Sequence, residues 1–299
     1  MSHVVAQAVA PTDAVDTATT PAPVAEASPL WIDTALTRRV LARFIAEEIR
    51  KFGLTHGIIG VSGGIDSALV LYLAVEALGA ENVTAVTMPY RTSNPDSYNH
   101  GILCVQDLGV PHLHIPVTPQ VEPYFAQFPE MSNRRRGNIM ARERMKILYD
   151  QSEATDALVI GTSNKTEMLL GYSTVYGDAA AAIHPIADLY KTQIRQLSRA
   201  VGVPEPIIGK PPSADLWEGQ TDEAELELTY ASVDEMLYAL VDRRMQPDDL
   251  VRTGVDEAVL RRVLKMVRGA QYKRRTPPIA KLSARTIEQD FLYLRDWGH

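Results

Sequence analysis

Two adjacent glycines constrain this chain more than any other feature of its sequence. They lie in Gly60-Val61-Ser62-Gly63-Gly64-Ile65-Asp66-Ser67, between an apolar run, His56 to Val61, and a helically spaced stretch from Ser67 to Leu78. A turn without Cβ atoms brings the backbone close to a ligand. The N–H groups that open the next helix then face an anion, helped by the helix dipole. Ser62 and Ser67 add hydroxyl donors. Asp66 is the odd member, because a carboxylate repels phosphate unless a cation lies between them. That points to Mg²⁺ bridging Asp66 and a polyphosphate. The Gly-Lys-Ser/Thr ending of a Walker A loop is absent, as is the GxGxxG fingerprint of dinucleotide-binding turns.

The surrounding pattern gives the fold class. Strand-like runs at Val83 to Met88, His112 to Ile115 and Ala157 to Gly161 alternate with helical spacing over Pro95 to Leu108, Asn138 to Asp150 and from Lys165. Short apolar strands separated by helices predict an α/β fold: a doubly wound parallel sheet covered on both faces, with right-handed crossovers. A first helix capped by Asp33 is expected to bury Leu36, Val40, Leu41, Phe44, Ile45 and Ile49, and to stop at Gly53. Beyond Tyr190 the strand signal fades. Thr192 to Val201, Thr229 to Val241 and Asp256 to Gly269 read as helices of a C-terminal extension, with a proline-broken loop after Pro204 and a basic loop over Lys273 to Pro278. Residues 1–28, rich in Ala, Val, Pro and Thr, read as a disordered tail before a single domain over 29–299.

Composition excludes several functions. A net charge of −7 argues against a nucleic-acid surface. No apolar run reaches the roughly 18–20 residues that span a bilayer, and the N-terminus lacks the basic start and apolar stretch of an export signal. A cytoplasmic protein without nucleic-acid or membrane partners is therefore expected. The single cysteine, Cys104, rules out an internal disulfide, a CxxC metal site and a two-thiol relay.

The SGGIDS segment resembles the pyrophosphate loop of the N-type ATP pyrophosphatases, whose fold is adenine nucleotide alpha hydrolase-like. Four further stretches narrow the resemblance to the NAD synthetase family: Gly137-Asn-Ile-Met-Ala-Arg142, Gly161-Thr-Ser-Asn-Lys-Thr-Glu167, Tyr176-Gly-Asp178 with Leu189-Tyr-Lys191, and Pro212-Ser-Ala-Asp-Leu216. The resemblance implies a ligase that adenylates the nicotinic acid carboxylate of deamido-NAD with ATP, releases pyrophosphate, and lets ammonia displace AMP. It implies Gly60 to Ser67, Thr162, Lys191 and Ser213 as ATP contacts, and Asp66 and Glu167 as Mg²⁺ ligands. Asp178 is expected near the ammonia, as a catalytic group alongside Lys191. Arg142, Tyr272 and Lys273 are expected on the deamido-NAD side, and a homodimer is implied.

The chain also departs from the family pattern. Val175 and Ala182 stand where some members carry a lysine and an aspartate that touch the dinucleotide, and Tyr272 replaces a histidine. Each change removes polarity from the acceptor side and leaves the ATP side intact. An ATP pyrophosphatase amidating another small carboxylic acid is the alternative. Cys104 lies in a predicted helix with no amidase motif, so packing is its expected role, and the expected donor is free ammonia or ammonia supplied by a separate protein. Pro204 to Glu227 is expected to fold over bound ATP and exclude water.

Overall fold

The sheet forms around β1 (His56–Gly60), which pairs with a strand on each side. This strand buries Ile58 and Ile59 completely, one on each face. It pairs in parallel with β2 (Val83–Thr87), which pairs with β3 (His112–His114). On its other side β1 pairs in parallel with β4 (Ala157–Val159). The order is β3-β2-β1-β4, so the chain's direction of travel across the sheet reverses between β1 and β4. In open α/β sheets ligands collect outside the strand C-termini at such a reversal. Ile160 bridges in parallel to Ile183 and lengthens the β4 edge. This computed structural model describes residues 28–211, 228–287 and 289–291. The predicted tail falls almost wholly outside the described residues, and Ser213 and most of the expected closing loop lie outside them too.

Helices cover both faces. On one side α1 (Thr34–Lys51), α2 (Ile65–Leu78), α3 (Pro95–Leu108) and α7 (Lys191–Val201) share a core with Ile59 and Ala85. On the other, α5 (Asn133–Ala154) lays Ile147 against Ile58, Val86 and Val159. After α6 (Lys165–Leu170) and α7 come the four-residue α8 (Glu205–Ile208), α9 (Tyr230–Leu237), a π-helical turn over Tyr238–Asp242, α10 (Pro247–Arg252) and α11 (Glu257–Gly269). The last helices share a separate cluster with Leu30, Leu170 and Tyr190, which is the expected C-terminal extension.

Several expectations are corrected. Leu36 and Val40 are 50% and 56% exposed, so only the C-terminal half of the α1 stripe is core, with Ile45 and Ile49 fully buried. α5 starts at Asn133, capped by Ser132, five residues before the first expected helical position. Its arginine-rich opening turn carries no apolar period. α4 (Thr118–Ala126) occupies a stretch expected to be irregular; it buries Val121 and Phe125 despite an internal Pro123. α8 interrupts the proline-rich loop, starting after Pro204 with Pro206 in its first turn, where the missing N–H of proline costs nothing.

Candidate active site

The loop after β1 is held by its own hydroxyls. Ser67 Oγ accepts from Ser62 N at 3.2 Å and donates to Gly64 O at 3.0 Å, while Ser62 Oγ accepts from Gly64 N at 3.3 Å. Gly63 has φ +76°, and a Cβ there would strike the Ser97 backbone, so glycine is required on both counts. Gly64 caps α2 without a side-chain bond. The opening N–H groups of α2 are therefore left facing the cleft, where an anion can complete them.

Across the β1–β4 reversal, the start of α6 meets the start of α2. Asn164 caps α6 by accepting from Glu167 N at 3.0 Å, and Glu167 Oε2 closes the capping box on Asn164 N at 3.5 Å. The Asn164 amide also donates to Asp66 Oδ1 at 2.9 Å, tying the two helix starts together. Between their carboxylates stands Lys191, whose Nζ donates to Asp66 Oδ2 at 2.5 Å and Glu167 Oε1 at 3.0 Å. The Lys191 side chain is 3% exposed and packs over the Tyr230 ring at 5.2 Å.

Two carboxylates already bracketing a cation form a hard-oxygen donor set suited to Mg²⁺. Among the described residues no cluster of three or more metal-ligating side chains occurs. A cation bound by Asp66 and Glu167 would thus complete its shell with phosphate oxygens and water, which is how Mg²⁺ is usually held at nucleotide sites.

These groups line one cleft of about 1210 Å³, which also takes in Thr162, Asp178, Tyr272 and Lys273. Asp178 follows a strained turn in which Tyr176 has φ +56°. Its Oδ1 accepts from Thr174 N at 2.9 Å. Solvent reaches Asp178 from the cleft, yet the surrounding protein raises its carboxyl above the usual range. Lys273 Nζ donates to the carbonyls of Gly171 and Ser173, both at 2.6 Å, and crowding lowers its ammonium below the ordinary lysine value.

Arg142 is not brought into the cleft: it is exposed and donates to Val175 O at 3.3 Å. Tyr272 is 67% exposed at the rim. The arginine run divides. Arg134 and Arg144 line the cleft, whereas Arg135 and Arg136 lie over Phe128 and Phe125. The sequence reading passed over Asn164, Asn138 and Lys210. Asn164 lies inside a quoted motif, and its signal was a capping box, Asn-Lys-Thr-Glu, at a helix start. Asn138, within the Gly137–Arg142 motif, accepts from Thr174 Oγ1 at 2.9 Å, and Lys210 donates to Ser97 at 2.7 Å; only tertiary contact reveals Lys210. Cys104 is fully buried in α3, and burial pushes its thiol up to about 12, as a packing residue requires.

Comparison with known proteins agrees with this arrangement. A family model described as NAD synthase matches residues 37–277. The NH₃-dependent NAD⁺ synthetase of Trichlorobacter lovleyi is 55% identical over 271 residues, covering 91% of this chain and 99% of the relative. Among solved structures, the NH₃-dependent NAD synthetase of Campylobacter jejuni superposes with a TM-score of 0.72 at 32% identity, covering 84% of this chain and 100% of that one. The NMN synthetase of Francisella tularensis gives 0.75 at 30% identity, with 84% and 99% covered. With a doubled-glycine loop at the sheet reversal, a carboxylate pair around a lysine, and a family match across nearly all the described chain, this protein belongs to the NAD synthase family.

Proposed function

We propose that the protein converts deamido-NAD to NAD with ATP and ammonia. The observation that carries this reading is Lys191 held between Asp66 and Glu167 beside the doubled-glycine loop. In the first step an oxygen of the nicotinate carboxylate attacks the α-phosphorus of ATP. The bond to the bridging oxygen breaks, and pyrophosphate leaves with the charge. Ser62, Ser67 and the α2 N–H groups donate to the departing phosphates, and Lys191 sets a point charge against them. Asp66 and Glu167 would hold Mg²⁺, which would supply further neutralisation of that charge. Thr162 faces the nucleotide from the β4 side.

In the second step ammonia attacks the acyl carbon of the adenylate, AMP leaves, and the nitrogen loses a proton. Asp178 accepts that proton, and its raised carboxyl makes it a better base than an ordinary aspartate. Tyr272, at the rim, and Lys273 receive the dinucleotide, and Arg142, exposed outside the cleft, would reach only a part of it that extends beyond the rim. A homodimer, in which a second copy closes the side where Arg142 and Tyr272 stand exposed, belongs to the same proposal, as does a cytoplasmic setting. No helix among the described residues is long and apolar enough to cross a membrane. Free ammonia as donor is supported by the T. lovleyi relative, an NH₃-dependent NAD⁺ synthetase, and by the buried, unreactive Cys104.

The test is to incubate the purified protein with ATP, Mg²⁺, an ammonium salt and deamido-NAD. NAD, AMP and pyrophosphate are expected in equal amounts. AMP formed only with nicotinate mononucleotide, or only with some other acid, would overturn the dinucleotide assignment. Glutamine serving as well as ammonium would overturn the donor.

A further inference from the structure

We propose that Asp234 is a positioning residue for the phosphate side of the site, its one carboxylate locking together the starts of α6 and α7. The proposal rests on the functional reading above. Asp234 lies on α9, in the C-terminal extension, and is fully buried. Its Oδ1 accepts from Thr166 Oγ1 at 2.6 Å and its Oδ2 from Thr192 N at 2.8 Å. Thr166 Oγ1 in turn accepts from Lys191 N at 3.0 Å. The residue after Thr166 is Glu167 and the residue before Thr192 is Lys191, so both ends of this bridge lie one residue from a cleft group. Asp234 itself does not line the cleft and touches no phosphate position. One turn earlier on α9, Tyr230 supports the Lys191 ammonium from below. The same helix therefore fixes that lysine at its backbone and at its tip.

The chemistry of the bridge requires a carboxylate. Both Asp234 oxygens accept, one from a hydroxyl and one from a backbone N–H. An asparagine offers one acceptor and one donor. In either orientation its NH₂ faces the Thr192 N–H or forces Thr166 to give up its donor role. Asp234→Asn is thus close in shape but breaks one bond of the bridge, freeing the helix starts to shift against each other. Displacements near 1 Å at a catalytic group are enough for about 100-fold losses.

The experiment compares Asp234→Asn, Thr166→Val, their double variant, and Val233→Ala. Val233 is a fully buried neighbour on α9 that takes no part in the bridge, and its truncation supplies a loss of stability without the lost bond. Thermal midpoints are measured alongside the dissociation constant for ATP with Mg²⁺ in the absence of acceptor, where no turnover occurs. Asp234→Asn and Thr166→Val are each expected to weaken ATP binding at least tenfold, the double variant no more than the worse single. Thr166→Ser should recover most of what Thr166→Val loses. Val233→Ala should stay within twofold of the parent despite its lower midpoint. ATP affinity in Asp234→Asn that moves no more than in Val233→Ala, or strictly additive single effects, overturns the positioning role. Should Asp234→Asn not fold, the Thr166 serine–valine contrast decides alone: equal affinity in the two overturns the proposal. Failure of the functional reading shows separately, as parent protein that binds ATP but makes no pyrophosphate with deamido-NAD.

Discussion

Replacing Gly63 with alanine isolates what the doubled-glycine loop demands. The residue has φ +76°, and the left-handed region costs a non-glycine residue about 1–2 kcal/mol. A Cβ built there comes within 2.7 Å of the Ser97 carbonyl carbon, against the 3.4 Å where ordinary contact begins, and the carbonyl oxygen lies nearer still. The obstruction is backbone, and the nearer carbonyl oxygen sets the shift, so either the loop or the start of α3 must retreat by more than about 1 Å; overpacking of this kind costs about 1–3 kcal/mol. The combined expectation for Gly63→Ala is a loss of about 2–5 kcal/mol. The same shift moves Ser62 and the α2 N–H groups off the phosphates, with a fall in kcat/KM for ATP on the order of 100-fold. Gly64→Ala is the control, because Gly64 has φ −91° and its Cβ would meet only Ser62 Oγ, at 3.3 Å. That variant should lose no more than about 1 kcal/mol. Urea unfolding and pyrophosphate release measure both quantities. Equal destabilisation by the two alanines, or a Gly63→Ala protein with parental stability and ATP kinetics, would refute the reasoning.

Other outcomes follow from the same geometry. Lys191→Met leaves Asp66 and Glu167 facing each other without their shared cation; kcat should fall by about 10²–10³ and the Mg²⁺ requirement should rise, read from pyrophosphate release against Mg²⁺ concentration. Asp178 has a raised carboxyl, so kcat/KM for ammonia should climb with pH along an acid limb above the usual carboxylate range, and Asp178→Asn should abolish that limb. Burial raises Asp234 from 3.8 to about 6. The folded state therefore holds its proton more tightly than the unfolded chain, and stability should fall as pH rises from 4 to 6 and level off above. The drop attributable to this group is roughly 3 kcal/mol, and it should be missing from the pH–stability curve of Asp234→Asn. Cys104→Ser places a hydroxyl at a fully buried position; it should cost about 1–3 kcal/mol in urea unfolding while leaving ATP affinity at the parental level.

The chain's local chemistry indicated the alternation of strands and helices and the doubled-glycine turn with its aspartate; Glu167 and Lys191 were expected at the site only because the motifs around them resemble the family's. The alternation and the turn are legible because each rests on short-range rules: a period of residues, a cap, a turn that only glycine can make. The α1 stripe shows where such rules stop. Leu36 and Val40 fit the helical period as well as Ile45 and Ile49, yet only the packing of α2 and α7 decides which half is covered. α4 and the first turn of α5 were illegible for other reasons: α4 carries two prolines and no side-chain cap, and α5 opens on Arg134, Arg135 and Arg136, with only the Ser132 cap to mark its start.

The site divides along the same line. Asp66 could be read from the loop's chemistry, and Glu167 and Lys191 from the resemblance of their motifs. That they meet within hydrogen-bond reach depends on the reversal of strand order between β1 and β4, which sets the ends of two distant segments side by side. Asp234 and Lys210 carried no signal at all, because a lone polar residue in a helix or loop acquires its meaning only from what the fold places opposite it. Sequence separation of 42 residues between Asp234 and Thr192 is invisible to any local pattern, and the hydrogen bond that closes it exists only once the extension packs on α7.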